Sequence, residues 1–308
     1  MATGGSPNFR RRRLFAVGVL ILAAAGAAAA FILRDPGDVS NPKASFSSTS
    51  TVQAAPPQAG EPWPFYGYDE ARTKWFRAGA PRALDPPYKR LWSYRGHKLL
   101  EFPPSIDSTG LYLLDDGGVL LKLAKSTGRP IWKHRLGVLS ASSPAVPGDG
   151  RVYAVTLLRS PGAGAGNVSA LDAATGHRLW SRKLPSRAES SPVVHGNRLV
   201  FGSEDGTVYS LDKRTGRTIW TYSAGGAVKG GLALSQGRLY FGDYGGTVSC
   251  ISFATGKPIW TSSQSGTFYS TPAVAWGRVF LGSTDGRMYS LTTTGQLAWA
   301  RQTGNYVY

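Results

Sequence analysis

Residues 207–222 read TVYSLDKRTGRTIWTY, and this stretch decides the fold. Val208, Ser210 and Asp212 alternate with Tyr209 and Leu211, the period of a pleated strand whose faces see different surroundings. Glycine lies just before this strand, at Gly206, where the tight turn Glu204-Asp205-Gly206 needs positive φ. A second turn, Lys213 to Gly216, leads into RTIWTY (217–222), a second strand carrying a central tryptophan. Upstream, RLVFGS (198–203) has the same alternation, and Ser190-Ser191-Pro192 opens one more strand where the sheet can spare an N–H. The unit is therefore a meander of four short strands, and such a sheet cannot bury both faces alone.

The same unit recurs. Tryptophans fall at 92, 132, 180, 220, 260 and 299, at intervals of 40, 48, 40, 40 and 39. The last five close similar strings, STGRPIW (126–132), ATGHRLW (174–180), RTGRTIW (214–220), ATGKPIW (254–260) and TTGQLAW (293–299). Gly118, Gly166, Gly206 and Gly246 each precede a tryptophan by fourteen residues, and Gly286 precedes Trp299 by thirteen. A period near forty residues with four strands per unit predicts a β-propeller, in which blades bury their faces on their neighbours. The fold class expected is all-β, with five complete four-stranded antiparallel blades plus a partial one. One unit carries about seven extra residues, LLRSPGAGAG (157–166), expected to project from one propeller face. Another replaces the Ser-Pro step by GGLAL (230–234) and the turn aspartate by Ser252. TGNYVY (303–308) matches the opening of a further blade, so this copy is expected to lack one to three C-terminal blades.

ALDAATGHRLW (170–180) and SLDKRTGRTIW (210–220) resemble the tryptophan-docking motif of PQQ-like (BamB-like) propeller repeats. The resemblance covers residues 63–308 and implies that each tryptophan packs on the adjacent blade. The residues it singles out are Trp92, Trp132, Trp180, Trp220, Trp260 and Trp299, with the turn glycines Gly128, Gly176, Gly216, Gly256 and Gly295. The residues after the tryptophans argue against WD40 blades, whose tryptophan is followed by aspartate; here Lys133, Ser181, Thr221 and Thr261 follow. WPFYGYDEARTKWF (63–76) resembles the N-terminal edge strand that closes such rings. The chain as a whole is similar to bacterial membrane-anchored PQQ-like repeat proteins.

The N-terminus reads as an export and anchoring segment. Residues 1–13 end in Arg10–Arg13, and Leu14 to Leu33 runs for twenty residues without a polar side chain. That length suits a helix crossing the bilayer core, and the arginines place it as a transmembrane signal-anchor with the rest outside. Ala28 and Ala30 leave a cleaved signal as the alternative. No cysteine in the segment means no lipid anchor. Residues 34–62, rich in Ser, Pro and Ala, read as a flexible linker. The net charge of +17 falls to +12 beyond residue 34, with 30 basic and 18 acidic residues. The expected location is the cell membrane, single-pass, with the propeller on the extracytoplasmic side. Nucleic acid is not an expected partner there.

Chemistry-bearing residues are sparse. His97, His134, His177 and His195 lie in different units without metal-ligand spacing, and no metal site is expected. Cys250, the sole cysteine, aligns with Ser210 and Ser290 and reads as a packed small residue. Redox enzymes of the resembled family use pyrroloquinoline quinone with a cysteine pair, an aspartate base and calcium ligands; this chain has one cysteine and no acid-rich constellation. No catalytic residue and no cofactor are expected. Tyr244, Phe268, Tyr269, Tyr306 and Tyr308 fall near turns and first strands, where they line a funnel or pack in the core. The function expected is a binding or scaffolding module for a protein, a peptide or an anionic cell-envelope polymer. The alternative is a quinone-dependent dehydrogenase-like redox protein.

Overall fold

The computed structural model describes residues 39–41, 62–76, 86–159 and 165–308. The transmembrane segment 14–33, most of the linker and the tip of the inserted hairpin lie outside the described residues. Among the described residues no helix is long and apolar enough to cross a membrane. Two compact units are distinguished, Met1–Val39 and Ser40–Tyr308, and the repeats fall within the second.

The described secondary structure is β throughout, in sheets that follow the repeat. The first blade comprises β2 (Ser105–Ile106), β3 (Leu111–Leu114), β4 (Val119–Leu123) and β5 (Pro130–Arg135). The second has β6 (Arg151–Leu157), β7 (Gly166–Asp172) and β8 (Arg178–Leu184), with Ala145 bridging Tyr153 in the inner-strand position. The third is β9 (Val193–His195), β10 (Arg198–Gly202), β11 (Thr207–Asp212) and β12 (Thr218–Ser223). The fourth is β13 (Ala233–Ser235), β14 (Arg238–Gly242), β15 (Thr247–Ser252) and β16 (Pro258–Ser263). The fifth is β17 (Ala273–Ala275), β18 (Arg278–Gly282), β19 (Arg287–Thr292) and β20 (Leu297–Gln302), joined at its outer edge by β1 (Val39–Ser40). Strand order is sequential and antiparallel in each blade.

The core lies between blades. Tyr112 and Leu120 of the first blade meet Val152 and Leu171 of the second. Tyr153 and Val168 of the second meet Leu199, Phe201 and Tyr209 of the third, and Val200 and Val208 of the third meet Leu239, Phe241 and Ile251 of the fourth. Each side chain of this size stabilises by about 1.5–3 kcal/mol when fully buried, and neither face could do so in an isolated sheet.

Gly166, which shares the spacing of Gly206, is not at a hairpin turn as Gly206 is: it opens β7 and pairs with Leu157, because the insertion lengthens both strands. Leu158 N–H donates to Ala165 O at 2.7 Å, so the ladder continues past the regular hairpin position. Residues 63–76 are not an edge strand either. They run across the last residues of the inner strands, touching all five blades. Trp63 exchanges hydrogen bonds with Ile106, and Val146 N–H donates to Pro64 O. Leu234 N–H donates to Glu70 O, Val274 N–H donates to Ala71 O, and Glu70 pairs with His195 at 2.9 Å. At the centre of this plug Arg72 is fully buried, and its guanidinium donates to Leu232 O at 2.9 Å, Tyr66 O at 2.6 Å, and Ser191 O and Pro192 O at 3.1 Å. Burial draws its pKa down to about 10 against the pull of Asp69. A single planar fork thus ties the inner strands of the third and fourth blades to the plug.

Candidate binding face

Each blade has two ends. The inner–second and third–outer turns lie at one, the T-G end, where the plug also sits. The second–third hairpins and the loops leading into the inner strands lie at the other, the hairpin end.

At the T-G end the tryptophans meet the glycines. A Cβ on Gly176 would fall 2.7 Å from Trp132, on Gly216 2.8 Å from Trp180, on Gly256 2.7 Å from Trp220 and on Gly295 2.7 Å from Trp260. Each indole therefore lies flat on the next blade's turn, which only a residue without a side chain allows. The indole N–H completes the contact, Trp180 donating to Lys213 O at 3.0 Å, Trp220 to Phe253 O at 3.1 Å and Trp260 to Thr293 O at 2.9 Å. Trp132 reaches Ala173 O at 3.3 Å. Trp92, in a segment outside any strand ladder, does the same on Gly128 and donates to Lys125 O at 2.7 Å. Trp299 packs beside Phe280 of its own blade. Beside the tryptophan the outer strand carries a bulge of one extra residue, and the third-strand residue facing the tryptophan is Ala170, Ser210, Cys250 or Ser290. Cys250 belongs to this series of small residues, and burial pushes its thiol up to about 11. Lys122 is the exception, a buried ammonium donating to Ala173 O at 2.9 Å.

The hairpin end varies instead. In four blades the hairpin tip donates a backbone N–H to the lead-in loop: Asp116 to Leu99 O, Glu204 to Arg187 O, Tyr244 to Ala227 O and Thr284 to Thr267 O; in the second blade Leu157, within the lengthened ladder of β6, makes the equivalent bond to Leu139 O. Two residues beyond each acceptor stands one position per blade, occupied in turn by Glu101, Ala141, Glu189, Lys229 and Tyr269. Val307 N–H donates to Ser283 O as Val228 donates to Ser203 O, which puts Tyr308 at the same place.

These side chains converge. Glu189 accepts from Arg187 at 3.1 Å and from Lys229 at 3.4 Å, while Glu204 takes Lys229 at 3.0 Å and Arg187 at 3.5 Å. Tyr269 O–H donates to Glu189 Oε2 at 3.2 Å. Lys229 Nζ sits 5.3 Å from the Tyr244 ring centre. Tyr244, Tyr269, Tyr308 and Tyr306 then form a train of edge-to-face contacts with centroids 5.7–6.4 Å apart. Burial, then the neighbouring Glu204 carboxylate, raises the Glu189 pKa. In Glu204 burial is outweighed by its interactions with Glu189, Lys229 and Arg187, and its pKa falls. In Lys229 burial is likewise outweighed by the two nearby carboxylates, Glu204 and Glu189, and its pKa rises. Of the five aromatics singled out in the sequence, Phe268 does not join this face, being fully buried beneath Gly242. Sequence reasoning misses Glu189, Glu204 and Lys229; the available signal is that 189, 229 and 269 are forty apart yet chemically unlike.

Against this geometry, residues 79–224 and 204–306 match the PQQ_2 family model, described as outer membrane protein assembly factor BamB. The chain belongs to this family. No curated protein matches it. Among solved structures, BamB from Moraxella catarrhalis matches 70% of this chain and 68% of its own, at 19% identity and TM-score 0.57. The quinohemoprotein alcohol dehydrogenase ADHIIG from Pseudomonas putida HK5 matches 79% of this chain at 16% identity and TM-score 0.61, but this chain spans only 48% of it. A europium-containing methanol dehydrogenase matches at 16% identity and TM-score 0.59, with 80% of this chain and 58% of its own covered. These likenesses establish the blade architecture that members of the PQQ-repeat family share.

The quinone and calcium that the resemblance to redox propellers implies do not suit the residues at this face. Glu189 and Glu204 already hold an ammonium and a guanidinium, so a calcium ion would enter between two cations. Cys250 is buried in β15 opposite Trp260, far along the blade from any hairpin tip. Among the described residues no three His, Cys, Asp or Glu side chains converge.

Proposed function

We propose that the chain is an extracytoplasmic, membrane-anchored propeller that binds a protein, a peptide or an anionic cell-envelope polymer at its hairpin end, without catalysis of its own. The observation that carries this reading is the contrast between the two ends. Docking at the T-G end repeats one chemistry blade after blade, while the equivalent position at the hairpin end changes from carboxylate to ammonium to phenol. A surface whose scaffold is constant and whose presented groups differ suits recognition of one irregular partner. Partly exposed tyrosines beside half-buried charges supply contact area and directional hydrogen bonds at low entropic cost. The family's description as an assembly factor supports a partner that is itself a protein.

A quinone-dependent redox protein is the second reading, favoured by the fold likeness to quinohemoprotein dehydrogenases. Purified full-length protein titrated with pyrroloquinoline quinone and calcium separates the two. The binding reading expects no bound chromophore and no dye-linked alcohol oxidation. A stoichiometric chromophore with turnover overturns it.

A further inference from the structure

The T-G end presents a second surface, independent of the hairpin end. In each of the first four blades the residues after the turn glycine place an exposed cation on the rim: Arg129, Arg178, Arg217 and Lys257. One or two positions further along each outer strand stands an aliphatic side chain held open to solvent. These are Ile131 at 52% exposure, Leu179 at 47%, Ile219 at 38% and Ile259 at 46%. The tryptophan that follows turns inward to dock, so the aliphatic residue has nothing of its own blade to cover it. The acids at this end are engaged. Asp172 and Asp212 each accept two backbone N–H groups and a threonine hydroxyl within their own turns, and Asp149 pairs with Lys213 at 2.8 Å. The rim is thus a repeating pair of exposed cation and exposed aliphatic group.

The chain also enters the propeller at this end. Trp63 joins Ile106, the last residue of the first inner strand, and Asn41 donates from its backbone to Ala298 O at 2.6 Å and from its side chain to Leu297 O at 3.2 Å. Leu297 and Ala298 open the outer strand of the fifth blade, on the same rim. Asn41 and Trp63, on either side of residues 42–61, therefore both meet the propeller on the face that carries the cations.

We infer that the T-G end is a membrane-facing surface, its cations on anionic phospholipid headgroups and its four aliphatic side chains in the interfacial layer, with the hairpin end turned away. The inference rests on reading Leu14–Leu33 as a bilayer anchor. Lysine or arginine next to an anionic leaflet and small apolar groups at the headgroup boundary are the pairing such surfaces use. Tethering raises the local concentration of lipid, so weak contacts suffice.

The test uses full-length protein with Cys250→Ser, the residue its position carries in neighbouring blades, and a single fluorophore-labelled cysteine at Ala174→Cys (T-G end) or Asp205→Cys (hairpin end). Each is incorporated into phosphatidylcholine vesicles with or without phosphatidylglycerol and with a headgroup-level quencher. Expected is flotation in both lipids, and quenching at 174 that rises with phosphatidylglycerol and is lost at high salt. The four-fold variant R129E/R178E/R217E/K257E lowers the face-down population by about tenfold or more while still floating. Flotation with equal quenching at 174 and 205, or with no dependence on anionic lipid, overturns the inference alone. A chain that fails to float overturns the anchor and the inference together.

Discussion

Replacing Gly216 by alanine adds one carbon between two blades, and the cost follows from geometry. Gly216 has φ +72°, where a side chain costs roughly 1–2 kcal/mol. The new Cβ would lie 2.8 Å from Cε3 and 3.1 Å from Cδ2 of Trp180, so the indole must lift. Overpacking of that kind costs about 1–3 kcal/mol. Lifting also breaks the 3.0 Å bond from Trp180 Nε1 to Lys213 O, worth about 1 kcal/mol. The sum is about 3–6 kcal/mol, a large share of the stability of an ordinary domain. Gly237 supplies the control, since its φ is +71° and a Cβ there meets nothing within 4 Å. Gly237→Ala should therefore lose only the backbone part, about 1–2 kcal/mol. Guanidinium unfolding of the full-length protein in micelles, followed by tryptophan fluorescence and circular dichroism, yields both values. Equal losses in the two variants would refute the argument that the tryptophan–glycine contact, and not backbone strain, couples the blades.

Other consequences are open to simple measurement. Arg72→Met strands four buried carbonyls in the plug and should cost about 3–5 kcal/mol, and Arg72→Lys should not restore it because one ammonium cannot reach them all; a loss below about 1 kcal/mol contradicts the role assigned to the plug. The Asp212 carboxylate, accepting the Thr215 hydroxyl and three N–H and O–H bonds in all, lies below its ordinary pKa of 3.8. Its contribution is therefore present above that pH and lost as pH falls through the lower folded value, so Asp212→Ala should narrow the acid-induced drop in stability; an unchanged acid limb argues against it. Cys250, its thiol raised to about 11 by burial, should resist aromatic disulfide reagents in the folded protein and react only on unfolding. Lys229→Met leaves Glu189 and Glu204 facing each other with less positive charge, so the variant should be less stable at neutral than at mildly acidic pH, the carboxyl proton relieving the repulsion.

Much of the scaffold is legible because the repeat states it several times over. TVYSLD maps onto β11 without an offset, whereas the outer strand expected at 217–222 is Thr218–Ser223. The offset follows from the bulge between Ser210 and Leu211, a local slip that alternation does not encode. Gly166 misleads because spacing to Trp180 is preserved even though the insertion moves the turn. The plug misleads for a different reason. Its polar contacts run to the inner edges of five blades, scattered from residue 106 to 274, and it bends through positive φ at Tyr68, Arg72 and Lys74, none of which leaves a periodic trace. At the hairpin end the tyrosines stand out as irregular aromatics, but their charged partners look like ordinary surface residues. Only the register, which aligns Glu189 with Lys229 and Tyr269, brings them together.

Site-specific photo-crosslinking in intact membranes tests the binding account most directly. A benzophenone side chain at Tyr244 or Tyr308, on the hairpin end, is compared with one at Thr261, exposed on an outer strand. The account predicts one discrete adduct from Tyr244 and Tyr308, weakened by Lys229→Ala, and none from Thr261. Equal labelling from all three positions, or an adduct from Thr261 alone, would contradict it.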